Sequence, residues 1–365
     1  MRNSYEGKLH HSDSYGIKSQ NPRIPGESTM KKLLATLLFI LIAFTAVPVL
    51  SADSIEAVRK SAEQGDKSSQ FSLGQRYEAG KGGVKRDPGD AAAWYRKAAL
   101  QGHIKAQTNL GNLYRSGRGV DKDYAEAMRW YRKAAEQGDT RAKVNIAMMY
   151  ASGEGVDKDE AEGLKWLEEA AGGGDTQAMV QLGIMYRAGK GVEKNEAMSF
   201  EWFRLAAAKG DTIARHNLGL GYYTGKGTKK NYTESVKWHR KAAEKGYPPA
   251  EYSMGLRYAK GDGVKQDYTE AASWYRKAAK HGHASAQNNL GLLYRNGQGV
   301  SQDYAAAQDW FRKAAERGYP RAQFNLGNMY LKGQGVKPDR EQAGKWFTKA
   351  AEHGHKGSRK ALDSM

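Results

Sequence analysis

Trp130-Tyr131-Arg132-Lys133-Ala134-Ala135 is the stretch on which the fold turns, because the chain repeats it in outline eight times. All eight tryptophans, Trp94, Trp130, Trp166, Trp202, Trp238, Trp274, Trp310 and Trp346, fall 36 residues apart. Each is followed four and five positions later by Ala-Ala. A period of that length marks a solenoid, in which one supersecondary unit stacks on copies of itself. At 365 residues an unrepeated chain would divide into two or three globular domains. The repeat replaces that expectation with one elongated domain whose core grows lengthwise.

Working outward from Trp130, the unit between Gly102 and Gly138 holds two helices. Ala106, Leu110, Leu113 and Tyr114 recur at helical spacing and define a first amphipathic helix, A. Gly111 sits inside it at a cost of about 1 kcal/mol relative to alanine, which predicts close approach of another helix. Gly117 and Gly119 stop helix A and turn the chain, and Val120 plugs the turn into the core. Asp123 opens helix B as its N-cap, with Glu126 three residues on in a capping-box arrangement. In the first repeat Asp87 is followed by Pro88, the favoured first helical residue. Helix B turns Tyr124, Ala127, Trp130, Tyr131 and Ala134 inward and Arg132, Lys133 and Glu136 to solvent. The prediction is an all-α solenoid of about eight 36-residue antiparallel helix pairs. Half-units at 54–64 and 355–365 cap its ends.

Two repeats depart from the pattern. Repeat three has Ala147 for the helix A glycine, Gly163 inside helix B, and Gly172-Gly173-Gly174 at its end. Repeat five has Thr228-Lys229-Lys230 in its turn. The glycine run predicts a softer joint.

The N-terminus reads as an address. Lys31-Lys32 precedes an apolar run of 15 residues, Leu33 to Val47, followed by Pro48 and small residues suited to cleavage. The expected organisation is residues 1–29 outside the native precursor or disordered, 30–52 a signal peptide, and 53–365 the repeat domain. The run is shorter than the roughly 20 residues of a spanning helix, so no stable membrane span is expected once it is removed. An uncleaved anchor is the alternative. Export to the bacterial periplasm or beyond argues against ATP-dependent and nuclear roles. The net charge is +18. Residues 1–52 hold six Lys/Arg and three Asp/Glu, leaving 52 against 37, or +15, for the rest. That excess is spread through the repeats, favouring acidic partners without singling out nucleic acid. With no cysteine there is neither disulfide nor lipidated thiol.

Helix A, read as Ala106-Gln-Thr-Asn109-Leu110-Gly111-Asn112-Leu113-Tyr114, resembles the first helix of a tetratricopeptide repeat. With Gly117-x-Gly119-Val120, Asp123 and Trp130-Tyr-Arg-Lys-Ala-Ala, the unit resembles the Sel1-like repeat, a relative whose inter-helix turn is longer. The resemblance spans about residues 54–365. It implies a right-handed superhelix with helices A lining a concave groove, and a role as an adaptor in bacterial signalling, envelope maintenance or host contact. One disulfide-rich branch of that family is connected with penicillin binding, and this chain carries none of its cysteines.

No motif supplies chemistry. The only Ser-x-x-Lys, Ser28 to Lys31, lies before or inside the leader. Gly225-Lys226-Gly227-Thr228 lacks the earlier glycine and strand of a phosphate loop. Asp121-Lys-Asp123 and Asp157-Lys-Asp159 lack the later glycine and glutamate of a calcium loop and read as helix caps. His281-Gly-His283 and His353-Gly-His355 lie two repeats apart and read as surface turns. The expectation is a non-enzymatic monomer with no cofactor or metal.

The remaining candidate is the groove. Asn109, Asn145, Gln181, Asn217, Asn289 and Asn325 stand just before the helix A leucine position, with Asn112 and Asn328 just past the glycine. In tetratricopeptide domains the equivalent asparagines contact bound peptides. A side-chain amide both donates and accepts, so a row of them can pair with an extended backbone. Arg115, Arg187 and Arg295 directly follow the tyrosine and could clamp carboxylates. The alternative is that the amides bond neighbouring helix backbone or solvent. The favoured function is an exported scaffold holding a protein or peptide ligand, acidic ones included. The others are binding of cell-wall glycan or another anionic envelope polymer, and a penicillin-binding hydrolase.

Overall fold

The computed structural model describes residues 54–365; the leader reading falls on residues 1–53, outside the described residues. Eighteen helices are formed there, and no strand among the described residues. A short α1 (Ile55–Glu63) is followed by the eight pairs α2 (Lys67–Ala79) and α3 (Pro88–Leu100), α4 (Ile104–Ser116) and α5 (Tyr124–Glu136), α6 (Thr140–Ser152) and α7 (Glu160–Gly172), α8 (Thr176–Ala188) and α9 (Glu196–Ala208). They continue as α10 (Thr212–Thr224) and α11 (Tyr232–Ala243), α12 (Pro248–Lys260) and α13 (Tyr268–Lys280), α14 (Ala284–Asn296) and α15 (Tyr304–Glu316), α16 (Pro320–Lys332) and α17 (Arg340–Glu352). The chain closes with α18 (Lys356–Asp363). From α2 onward each helix packs chiefly on its predecessor and successor in the chain. The helix pairs thus stack as a solenoid whose core runs its length.

Local chemistry explains the ends of each helix. Asp123 Oδ1 accepts from the Glu126 backbone N–H at 2.9 Å, as an N-cap should. The reciprocal half of a capping box is replaced, because the Glu126 carboxylate turns to Arg129 at 2.8 Å. Asp87 caps α3 with Pro88 in its first turn. Gly117 ends α4 in the left-handed conformation (φ 67°), where a side chain would be strained. Gly119 has φ 76° and lies so close to the start of α3 that a Cβ would come within 2.2 Å of Pro88 backbone atoms. The second turn glycine is therefore a backbone-to-backbone seat on the previous repeat.

The core corrects one part of the sequence reading. Only Trp130 (3 % exposed) and Trp274 (7 %) are buried; the other six tryptophans are half-buried. The residue that follows Trp is the one sealed inside, as Tyr95, Tyr131, Leu167, Phe203, His239, Tyr275, Phe311 and Phe347. That ring explains the helix A glycine. A Cβ on Gly111 would stand 2.6 Å from Tyr131 Cε1, and Gly183 and Gly291 meet Phe203 and Phe311 in the same way. Each half-buried tryptophan keeps its outer face toward solvent. In six repeats a lysine three residues on lies over a Trp ring, Lys97 on Trp94 at 3.9 Å and Lys277 on Trp274 at 4.0 Å among them.

Helix B also reaches forward with its arginine. Arg132 is exposed, as predicted, yet its guanidinium donates to the Tyr150 hydroxyl of the next helix A at 3.1 Å. Arg96, Arg240, Arg276 and Arg312 make the same bond to Tyr114, Tyr258, Tyr294 and Tyr330. The Trp-Tyr-Arg stretch thus serves three jobs in consecutive positions. Trp covers, the next ring fills, and Arg ties the neighbouring repeat.

Candidate functional site

Two pairs of the side chains singled out on helices A meet across repeat boundaries, and the rest bond other neighbours or face solvent. Asn145 Nδ2 donates to Asn112 Oδ1 at 3.1 Å, and the same oxygen accepts from the Tyr131 hydroxyl at 2.7 Å. Arg187 Nη1 donates to Asn217 Oδ1 at 2.6 Å, while Asn217 donates to the Ile213 carbonyl at 2.9 Å. Asn325 donates at 2.9 Å to Asn288, a buried amide that the sequence reading passed over. Asn289 accepts from Asn288 at 3.2 Å, and Asn328 donates to the Phe324 carbonyl at 3.1 Å. Asn109 is half-buried beside the Tyr95 hydroxyl, which donates to Glu78 at 2.7 Å. Arg115 donates to Glu154 of the next turn at 2.6 Å, and Arg295 to Asn296 at 3.3 Å. Gln181 is exposed. The result is a face on which polar side chains join A helices of repeats two and three, four and five, and seven and eight, and which retains exposed amides and guanidinium groups.

Two hollows open on this face in the middle of the array. The first, about 280 Å3, lies between repeats three and four and is lined by Ala147, Met148, Gly163, Leu167, Ile184 and Met185. Its origin is a paired substitution. Where Gly111 receives the Tyr131 ring, repeat three has Ala147 against Leu167. The helices close up at Gly163, where a Cβ would stand 3.0 Å from the Ala147 carbonyl oxygen. No phenol reaches across to the A helix there, and the space that Tyr131 and its hydroxyl fill in repeat two stays open. The second hollow, about 190 Å3, lies between repeats four and five, against Phe200, Phe203 and Leu220. Arg187 and Asn217 form part of its wall.

Buried polar groups account for several residues whose role sequence reasoning missed. Gln70, Gln107, Gln287 and Gln323 each donate to a last-turn carbonyl of the preceding helix, as Gln107 does to Ala99 at 3.1 Å. Their recurrence two residues before the asparagine row is the signal. In repeat six the slot holds Glu251, 3 % exposed, whose carboxylate meets His281 Nδ1 at 3.0 Å. His283 serves a different end of the same turn. Its Nδ1 accepts from the Ala286 N–H at 3.3 Å as an N-cap, and its ring stacks on Tyr252 at 4.6 Å. His103 repeats that arrangement on Phe71, and burial holds both imidazoles below their ordinary pKa. His239 fills the ring slot against Gly219 beside His216, with centroids 5.2 Å apart. Burial pushes His216 down to about 4 and His239 to about 3. Among the described residues no group of three or more His, Cys, Asp or Glu side chains is placed to hold a metal ion. No described helix is long and apolar enough to cross a membrane.

Comparison with known proteins agrees with this geometry. A family model for the Sel1 repeat matches eight times in tandem, over residues 67–103, 104–139, 140–175, 176–211, 212–247, 248–283, 284–319 and 320–355. Among solved structures the chain is similar to a Sel1 repeat protein from Oxalobacter formigenes, at 33 % identity and a TM-score of 0.65, over 90 % of this chain and 92 % of that one. It is also similar to a protective antigen present in uropathogenic Escherichia coli strains that displays an SLR fold. That match has 36 % identity and a TM-score of 0.62, over 85 % of this chain and 74 % of the other. No curated protein matches. Eight matched units in unbroken succession, each one helix pair, establish that the chain belongs to the Sel1 repeat family.

Proposed function

We propose that this protein is an exported, non-enzymatic scaffold that holds a protein or peptide partner along the face formed by its A helices. Sel1 repeats are typically protein-protein interaction scaffolds, which sets the class. The observation that supports the choice of face is that its polar side chains bond across repeat boundaries, from Asn112 to Asn145 and from Arg187 to Asn217. A solenoid offers an extended partner one uninterrupted surface, and amides with guanidinium groups can pair with its backbone and carboxylates. Export rests on the positive, apolar and small-residue order of residues 31–52. The test places a photo-crosslinking residue in the full chain at Asn112, Gln181 or Asn328, and in separate variants at the exposed B positions Arg129, Lys237 or Thr348. Adducts from the A positions alone are expected. A partner trapped from the B positions instead would reverse the assignment. Fractionation with N-terminal sequencing checks export: envelope protein starting near Asp53 is expected, an intact Met30 there would mark the uncleaved anchor, and recovery in the cytoplasm alone would oppose export.

The lysine-over-tryptophan pairs on the B helices favour a second reading, binding of an anionic envelope polymer. Retention on purified cell-wall glycan at about 0.5 M salt would support it, and complete release would mark nonspecific charge attraction.

A further inference from the structure

We propose that the hollow between repeats three and four is an anchor pocket for an extended, acidic partner peptide, taking one bulky aliphatic or aromatic side chain beside a carboxylate. The inference rests on the scaffold reading and names the chemistry of the ligand. Met148 is 44 % exposed at the rim of an otherwise apolar wall of Ala147, Leu167, Ile184 and Met185. Gln177 and Gln181 stand beside it, placed to pair with an extended backbone. The charges decide the ligand's sign. Glu160, at the edge of this hollow, is engaged by Lys158 at 2.9 Å. Glu196, at the edge of the next, lies between Lys194 at 3.5 Å and Lys226 at 3.7 Å. Lys190 acts on Glu160 from beyond ion-pair distance, so the Glu160 carboxylate faces two lysines, and Arg187 has no carboxylate within 4.0 Å among the described residues. Arg187 is held in place by Asn217 and lies over the Phe203 ring at 5.5 Å, which leaves its positive charge to be met from outside. An apolar cavity with Lys190 on its edge, next to a hollow with Arg187 in its wall, complements an apolar side chain whose acidic neighbour reaches one repeat further along an extended peptide.

The test pans a phage-displayed library of random dodecapeptides on the immobilised full chain. Fluorescence anisotropy then measures the enriched peptides. Enriched sequences should place Asp or Glu within three residues of Leu, Ile, Met or Phe. The double variant Ala147→Gly with Leu167→Tyr restores the pair used by repeat two and refills the hollow. It should weaken binding at least about tenfold, the effect of displacing one buried anchor. Arg187→Gln should weaken it about three- to tenfold and flatten its salt dependence. Should the double variant not fold, Met148→Glu alters the exposed rim alone and should have the same direction of effect. Peptides that bind the refilled protein as tightly as the native one would overturn the pocket while leaving the scaffold reading intact. Failure to enrich any acidic-apolar sequence would overturn the ligand chemistry. A dimer in sedimentation that the refilled variant dissolves would make a second copy the occupant and refute a peptide partner.

Discussion

Repeats two and three solve one packing problem in two ways. In repeat two, α5 drives the Tyr131 ring into the groove left by Gly111, and the phenol emerges on the far side to bond Asn112. In repeat three, α6 offers Ala147, α7 answers with the shorter Leu167, and Gly163 lets the helices close the distance. Both pairs keep 13-residue helices. The first brings a buried hydroxyl to Asn112 and leaves no opening beside it; the second leaves a hollow. Core and binding face are therefore coupled, because the residue that fills one determines the shape of the other.

The sharpest way to break the contrast is Tyr131→Ala, which empties a fully buried site and should cost about 3–5 kcal/mol in equilibrium denaturation. Leu167→Ala, next to space already open, should cost less. Next comes Gly111→Ala, whose new Cβ has no room beside the Tyr131 ring. A loss of about 1–3 kcal/mol is expected. The decisive measurement is a double-mutant cycle. In a Tyr131→Leu background the same alanine should cost clearly less, since that pair reproduces repeat three. Equal cost in both backgrounds would refute the ring-into-glycine account.

A third prediction concerns repeat five, where an imidazole takes the ring's place. His216 and His239 titrate lower folded than unfolded, so the unfolded chain binds more protons below about pH 6.5. Stability should be greatest above that pH. It should fall by up to roughly 1.4 kcal/mol per pH unit per histidine between about 6.5 and 4, with His239 continuing toward about 3. Arg257 and Arg187 add to the cost of charging them, while His103 and His283 shift in the same direction. His239→Phe should shallow the slope; an unchanged pH profile would contradict a neutral buried imidazole. The smallest effect belongs to the outer face of the tryptophan. Lys133→Met removes the ammonium 4.7 Å from the Trp130 ring and should cost about 0.5–1 kcal/mol, diminishing with added salt if the contact is electrostatic.

Periodicity and capping chemistry made most of the architecture legible. Asp123, Gly117 and the tryptophan lattice place helices and turns because their reasons are local. What stayed hidden depends on the opposing helix. Trp130 and Tyr131 are adjacent on one helical face, and sequence spacing cannot say which of them meets Gly111. Arg132 reads as a solvent residue until the next helix brings the Tyr150 hydroxyl to it. His103 and His283 evade the N-cap rule because imidazole is not among its usual residues, yet a neutral ring nitrogen accepts the same backbone N–H. Ala147 and Gly163 were visible as departures in repeat three. The cavity they line required knowing that Leu167 and, from the next repeat, Ile184 and Met185 line it with them.

The seat made by the second turn glycine has a consequence for the family's growth. Gly119 rests on the backbone at Pro88, and Gly299 rests on the backbone at Tyr268 in the same way. At those two joints the touching surfaces are backbone on both sides, and at Gly155 and Gly335 the glycine meets the Cβ of Tyr124 and of Tyr304. A unit can be duplicated, lost or exchanged with its junction intact. Side chains on the A helices are then free to diverge copy by copy, as those of α6 to α10 have done while each helix keeps 13 residues.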